Sequence, residues 1–309
     1  MVKVFIDGSA GTTGLRIHER LAIRDDIKLI TLSESERKDK NERKKALNNA
    51  DIAFLCLPDE AAIESVFLTE NPDTIIIDAS TAHRTNPDWT YGLLELGDDI
   101  YSKVKKSKRI CIPGCHATGF ITLVKPLIEN NIVHKDYPFS CTSLTGYSGG
   151  GKSMISQYED KYRDASLSAP RIYALTQMHK HLKEMKLYTG ISNNPAFSPI
   201  VCDIYSMMCV TVNICVKGIR IKDICDIYID KYGNRPLFDV KDIYAEGYNG
   251  FIPSDAFKNK DSIKITVTGN DERISLTALY DNLGKGASGA AIQIFNVITG
   301  NDEIKGLRI

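Results

Sequence analysis

The sequence predicts an α/β protein in two parts: a doubly wound domain built on a parallel sheet, then an α+β domain with a mixed or antiparallel sheet. In the first third, short apolar runs at 2–7, 27–32, 51–57, 74–78 and 110–112 alternate with helical periodicity. That is the βαβ pattern of strands buried on both faces. Beyond Phe120 the runs lengthen and several alternate apolar with polar residues, as strands with one covered face do. A length of 309 residues suits about two domains.

Composition narrows the classes. Lysine plus arginine number 39, as do aspartate plus glutamate, so nothing favours nucleic acid or a membrane surface as a partner. The apolar-rich stretch Ile200 to Val216 is broken by Asp203 and Asn213 and is not a membrane span. Met1 to Asp7 lacks a targeting segment, and the eight cysteines contain no C-x-x-C pair. Reduced thiols in a cytoplasmic protein are expected.

The first strand, 2–7, runs into Gly8-Ser9-Ala10-Gly11-Thr12-Thr13-Gly14, and a helix is predicted from Leu15 to about Arg24. The spacing is G-x-x-G-x-x-G rather than G-x-G-x-x-G. The mechanics are the same: glycines let the backbone turn tightly and bring a pyrophosphate to a helix N-terminus. A Rossmann-type dinucleotide-binding domain follows from this placement. The second strand ends at Ser33, with Arg37 and Lys38 shortly after. An acid at that tip suits the ribose hydroxyls of NAD, whereas hydroxyl and basic groups suit a 2′-phosphate, so the cofactor expected is NADPH/NADP. The next strands end at Pro58 and Ser80, on the carboxyl edge where such sheets bind ligands.

The strand 110–112 is stopped by Pro113-Gly114, and a helical pattern opens at Ala117. Cys115 is thus predicted at a strand-to-helix turn, where unpaired N–H groups and the helix dipole favour a thiolate. It is the candidate nucleophile, and the other seven cysteines suit a structural role better. His116 is a poor base for it, because adjacent side chains point apart. His179 and His181 are the better candidates; in an extended segment they share a face, and in a helix they diverge. A His-x-His metal pair is the rival reading, but no third ligand cluster accompanies it, so no metal is expected.

In the second part, 138–145, 201–216, 262–268 and 273–280 read as strands. The apolar character of both faces near 204–210 suggests an interface. Ser148-Gly149-Gly150-Gly151-Lys152 between strand and helix makes a phosphate cradle without Walker spacing. Arg84 adds a cation on the ligand edge of the first domain, although Arg84 and Lys152 each read equally well as surface cations. In the last segment, Gly and Ala residues from Gly284 to Ala291 open an apolar helix, which implies a close approach to another segment or a ligand. Together, a nicotinamide crevice, a thiolate, a histidine and anion-holding groups suit attack on an activated acyl group followed by hydride reduction of the thioester.

Gly8 to Leu15, Ser80 to Thr85, Tyr91 to Leu96, Pro113 to Thr118, Ser148 to Lys152, His179 to Met185 and Asp281 to Ala287 together resemble N-acetyl-γ-glutamyl-phosphate reductase, in its shorter, second type. The resemblance runs from the first strand to the final helix. It implies an NADPH-dependent reductase of arginine biosynthesis, converting N-acetyl-γ-glutamyl phosphate to N-acetylglutamate 5-semialdehyde with release of phosphate, and related to aspartate-semialdehyde dehydrogenase. It implies Cys115 as acyl acceptor and His181, with His179 as the alternative, as acid/base. Gly8 to Gly14 would hold the cofactor along with Ser33, Arg37, Pro58 and Ser80, and Asn282 would lie near the nicotinamide. Arg84, Ser148 and Lys152 are assigned to substrate or phosphate. Leu182-Lys183 departs from the family, where a Pro often precedes the Glu. The implied domains are 1–117 with 286–309 for the dinucleotide, and 118–285 for catalysis and dimerisation. The partner expected is a small acyl phosphate, in a homodimer or homotetramer. The competing expectations are a reductase of another acyl phosphate, as in aspartate-semialdehyde dehydrogenase, and a non-catalytic NADP-sensing protein.

Overall fold

The computed structural model describes residues 1–241 and 250–309. These form two compact units, one of Met1–Pro113 with Ala287–Gly306 and one of Gly114–Gly286 with Leu307–Ile309.

The first unit carries β1 (Val2–Asp7), α1 (Thr12–Ala22), β2 (Ile27–Ile30), α2 (Lys40–Asn49), β3 (Ile52–Leu55), α3 (Asp59–Leu68), β4 (Ile75–Asp78), β5 (Thr90–Tyr91), α4 (Asp98–Lys106) and β6 (Arg109–Cys111). All pairings are parallel, in the order β2-β1-β3-β4-β6-β5. The chain winds outward from β1 to β2 and then crosses to β3, so a topological switch point falls between β1 and β3. All four residues of β3 are buried, as a central strand covered on both faces requires. The final helix, Gly289–Ile298, completes this unit. Phe295 meets Phe54 of β3 with ring centroids 6.0 Å apart, and Asn296 accepts a 2.6 Å hydrogen bond from Arg24.

The second unit carries α5 (Cys115–Glu129), β7 (Ser140–Gly146), α6 (Gly151–Glu159), β8 (Arg171–Ile172), α7 (Leu182–Thr189), β9 (Ala196–Cys202), β10 (Met208–Cys215), α8 (Ile221–Tyr232), β11 (Phe238–Asp239), β12 (Ile263–Gly269) and β13 (Arg273–Tyr280). Its sheet runs β11-β12-β13-β10-β7-β9-β8. It is mixed: β7 with β9 and β11 with β12 are parallel, and the remaining pairs are antiparallel. Two helices meet where Tyr228 and Tyr232 of α8 donate to the carbonyls of Leu123 and Thr122 in α5.

One strand predicted over 201–216 is two. β9 and β10 lie on opposite sides of β7, so the chain must step across the end of β7 at residues 203–207. The crossing is anchored by Tyr147 and Ser148, whose N–H groups donate to the carbonyls of Ile204 and Tyr205. The apolar pattern hides the break because Met207 is buried within the crossing itself. From Met208 onward the alternation is clean, with Met208, Val210, Val212 and Ile214 inward and Asn213 and Cys215 outward. Among the described residues, no helix is long and apolar enough to cross a membrane.

Candidate active site

Cys115 is the first residue of α5, behind Gly114 as N-cap with no side-chain cap. The first-turn N–H groups and the positive end of the helix dipole therefore act on the half-buried thiol. Two features of the second unit fix this turn. The phenol of Tyr280, the last residue of β13, donates to the Cys115 carbonyl and accepts the Gly119 N–H at 3.0 Å. Behind it, a Cβ added to Gly286 would stand 3.0 Å from Cys115 Cβ, so the small-residue segment does approach another element closely, as expected.

His181 caps the N-terminus of α7 and is buried, and half-buried His179 precedes it. Their rings meet edge to face at 4.7 Å, and His179 Nδ1 accepts the His181 N–H at 3.2 Å. Both rings also pack on that of His116, at centroid distances of 5.4 and 5.6 Å, so the segment brings them to the residue next to Cys115. His116 Nδ1 lies 2.7 Å from Ser143 Oγ, and Nε2 lies 2.7 Å from Tyr173 Oη. Burial, and secondarily the neighbouring His179, hold its pKa down to about 3, so it is a neutral hydrogen-bonding element. Burial, reinforced by the Cys115 charge, pushes the Tyr173 phenol up. Glu184, on the first turn of α7, accepts the Gly114 N–H at 3.0 Å with one carboxylate oxygen and places the other 3.9 Å from His181 Nε2. Among the described residues, no group of three or more His, Cys, Asp or Glu side chains could hold a metal.

Ser148 and Asn282 lie in this same unit. Asn282 donates to Ser148 Oγ at 3.0 Å and accepts the Met207 N–H at 3.0 Å. Lys152 is exposed on the first turn of α6, just past the glycine cradle. Ser80 and Arg84 belong to the first unit. Ser80 donates to Asp78 at 2.7 Å, and Arg84 donates to the carbonyls of Ile112 and Ala79 at 2.9 and 3.0 Å. Arg84 thus ties the exits of β6 and β4 together.

The glycine loop lies at the switch point of the first unit. Gly8 has φ +87°, and a Cβ there would stand 2.3 Å from the Cys56 carbonyl; one on Gly14 would stand 2.3 Å from the Gly8 carbonyl. Close backbone packing therefore demands both glycines. Ser9 and Ala10 form the tip, with Ala10 exposed. Gly11 is the N-cap of α1, whose first turn carries no acidic residue. Thr12 Oγ1, beside Thr13 on that turn, is buried without a hydrogen-bond partner. An uncapped helix N-terminus with an unsatisfied hydroxyl fits a pyrophosphate. Pro58 is the N-cap of α3, at the exit of β3. At the tip after β2, exposed Ser33 donates its N–H to Glu36 at 2.7 Å, and its carbonyl accepts from Arg37 Nε at 3.4 Å.

Sequence reasoning missed Glu184, Tyr173 and Tyr280. Glu184 left a signal, since an acid three residues after His181 on a helix faces the same side. Tyr173 and Tyr280 left none.

Comparison with known proteins places this geometry in a family. Residues 3–103 match the semialdehyde dehydrogenase NAD-binding domain, and residues 115–282 match the semialdehyde dehydrogenase dimerisation domain. The N-acetyl-gamma-glutamyl-phosphate reductase of Brucella anthropi is 40% identical over 96% of this chain and 98% of its own length. That of Brucella ovis is 39% identical over 96% and 99%. Aspartate semialdehyde dehydrogenase II of Vibrio cholerae, at 17% identity, superimposes over 97% of this chain and 99% of its own with a TM-score of 0.72, a likeness of fold. Nucleotide cradle, helix-borne cysteine and full-length similarity agree: the chain belongs to the N-acetyl-gamma-glutamyl-phosphate reductase family of semialdehyde dehydrogenases.

Proposed function

We propose that this chain reduces N-acetyl-γ-glutamyl phosphate to N-acetylglutamate 5-semialdehyde, releasing phosphate, as a step of arginine biosynthesis in the cytoplasm. The observation that carries this reading is the placement of Cys115 at the first residue of α5, beside the His179–His181 segment and Glu184. The Cys115 thiolate attacks the acyl carbon, a C–S bond forms, and the C–O bond to phosphate breaks. NADPH, when bound, supplies the hydride that reduces the resulting thioester. Cys115 then leaves as thiolate and the aldehyde is released. His181 holds the proton for the departing phosphate oxygen, with Glu184 beside it, and His179 is the alternative. Arg84, Ser148 and Lys152 are assigned to the substrate and its phosphate, and Ser80 to the cofactor.

The first unit holds the dinucleotide through the 8–14 loop and the first turn of α1, with Ser33, Arg37 and Pro58 along the same edge. Preference for NADP rests on Ser33 and Arg37 in place of an acid as the last residue of the β2 tip. Asn282 is assigned to the nicotinamide side. The second unit forms a homodimer or homotetramer. The matched dimerisation domain supports this, as do the exposed apolar side chains of Ile172, Leu175 and Met178.

The test is phosphate-dependent reduction of NADP by N-acetylglutamate semialdehyde, run beside aspartate semialdehyde. Activity with the first alone is expected. Activity with only the second keeps the chemistry and discards the substrate. Silence with both, from folded protein that binds NADPH, leaves a nucleotide sensor.

A further inference from the structure

A hydroxyl from outside the helix packs against the first turn of α5. In an α-helix the N–H of residue 119 faces the carbonyl of residue 115. Here the Tyr280 phenol stands against both, taking the Gly119 N–H at 3.0 Å and donating its own proton to the Cys115 carbonyl. The fit excludes a side chain at 119: a Cβ there would lie 2.7 Å from Tyr280 Oη and 2.6 Å from Val210 Cγ2. Tyr280 is itself buried at the end of β13, where it is paired with Met208 of β10. The hydroxyl is therefore delivered by the middle of the sheet rather than by a mobile loop.

We propose that Tyr280 is a positioning residue for the nucleophile, setting the backbone of Cys115 through this bridge and turning the positive end of its O–H dipole toward the residue that must carry negative charge. The two effects come from one hydroxyl. An O–H donated to the Cys115 carbonyl offsets the carbonyl's negative end next to the thiolate, as hydrogen bonds around a charged group do. It also ties the Cys115 carbonyl and the Gly119 N–H to one buried phenol, which fixes the direction in which the Cα–Cβ bond of Cys115 leaves the helix. Gly286 lies on the other side, where an added Cβ would stand 3.0 Å from Cys115 Cβ and 3.5 Å from its Cα, so only a residue without a side chain fits beside the turn at this distance. The inference rests on the reading of Cys115 as the acyl acceptor.

Tyr280→Phe removes one oxygen and keeps the ring. The expected result is a kcat about tenfold lower with KM within about twofold, the signature of a group whose contribution appears in the transition state. In parallel, the rate at which iodoacetamide modifies the Cys115 peptide, followed by mass spectrometry at fixed pH, should fall about fivefold. Replacing Tyr280 by 3-fluorotyrosine keeps the bridge with a stronger donor and should raise that rate about twofold. Wild-type kcat and modification rate in Tyr280→Phe overturn the proposal. So does a fluorotyrosine protein whose modification rate is unchanged or lower, and that arm decides the matter if Tyr280→Phe does not fold. Acyl trapping on the wild-type enzyme separates the two layers. Acyl label absent from the Cys115 peptide refutes the nucleophile, whereas label on Cys115 with an unaltered Tyr280→Phe refutes only the positioning role.

Discussion

The backbone N–H of Gly114 donates to Glu184 Oε2 at 3.0 Å, while Glu184 Oε1 stands 3.9 Å from His181 Nε2. One buried carboxylate thus links the residue before the candidate nucleophile to the helix that carries the candidate base. Charge and shape can be separated here. Glu184→Gln keeps an acceptor for the Gly114 N–H but removes the charge beside His181, so kcat should fall by at least about tenfold while stability is nearly retained. Glu184→Ala leaves that N–H without its acceptor and should cost a further ~1–3 kcal/mol in urea unfolding. Equal activity in Glu184→Gln and wild type would remove the carboxylate from the chemistry.

His116 predicts a pH dependence of stability. Its pKa in the folded state is depressed to about 3 from 6.5, so below pH 6.5 the unfolded chain binds a proton that the folded chain refuses. The contribution of neutral His116 is complete above pH 6.5 and is lost as pH falls toward 3, at about 1.4 kcal/mol per pH unit. His116→Gln removes that term. Its stability deficit, read from denaturant unfolding at pH 7.5, 6 and 5, should shrink as pH falls. A deficit that stays constant across the series would contradict the depressed pKa.

The glycine loop predicts a cofactor defect without loss of the thiol. Gly8→Ala forces a Cβ against the Cys56 carbonyl at a left-handed φ, so the loop must move. NADPH affinity, followed by fluorescence titration, should fall by at least about tenfold. Iodoacetamide modification of Cys115 should be unchanged. With the wild-type protein, NADPH should bind more tightly than NADH, and the reverse order would assign the Ser33 tip, with Glu36 on its N–H, to NAD.

The loop before the histidines is strained and held by one side chain. Ala174 and Gln177 both have positive φ, 53° and 56°. The Gln177 amide donates to the Phe197 carbonyl and accepts its N–H, both at 2.8 Å, so a side chain plays the part of a neighbouring strand. Phe197 in turn packs edge to face on His116 and His179. Gln177→Ala should destabilise by ~1–3 kcal/mol and lower kcat without altering NADPH binding. A stable, fully active variant would show that the clasp does not hold the histidine segment.

Much of the first unit was legible because its strands are apolar runs of four to six residues between helical patterns. The two-residue strands β5, β8 and β11 were not, since so short a segment carries no period. The crossing at 203–207 was misread as strand because burial there comes from packing over β7, and apolar content alone does not separate a covered turn from a covered strand. At the candidate site, the strand-to-helix position of Cys115 followed from Pro113-Gly114, and the histidines stood out as titratable groups in a short segment. Tyr280 reaches Cys115 across 165 positions of sequence, and only the order of strands in the second sheet brings them together. Tyr173 was hidden for the same reason, since its contact with His116 depends on where β8 ends.

The main segment of the second unit runs from Gly114 to Gly286, and its ends adjoin, since a Cβ added to Gly286 would stand 3.0 Å from Cys115 Cβ. Residues 114–286 are in this respect a passenger spliced into a host chain. A guest whose two ends meet closes its own loop when it folds, so the host segments 1–113 and 287–306 are joined across a gap of a few ångströms rather than a long coil, and the entropy of closing that gap is small. The splice point is also where Cys115, the candidate nucleophile, sits. Drift that pulled the guest's ends apart would lengthen the loop the host must close and move the sulfur in the same stroke, so selection on folding and selection on chemistry act on the same few backbone atoms.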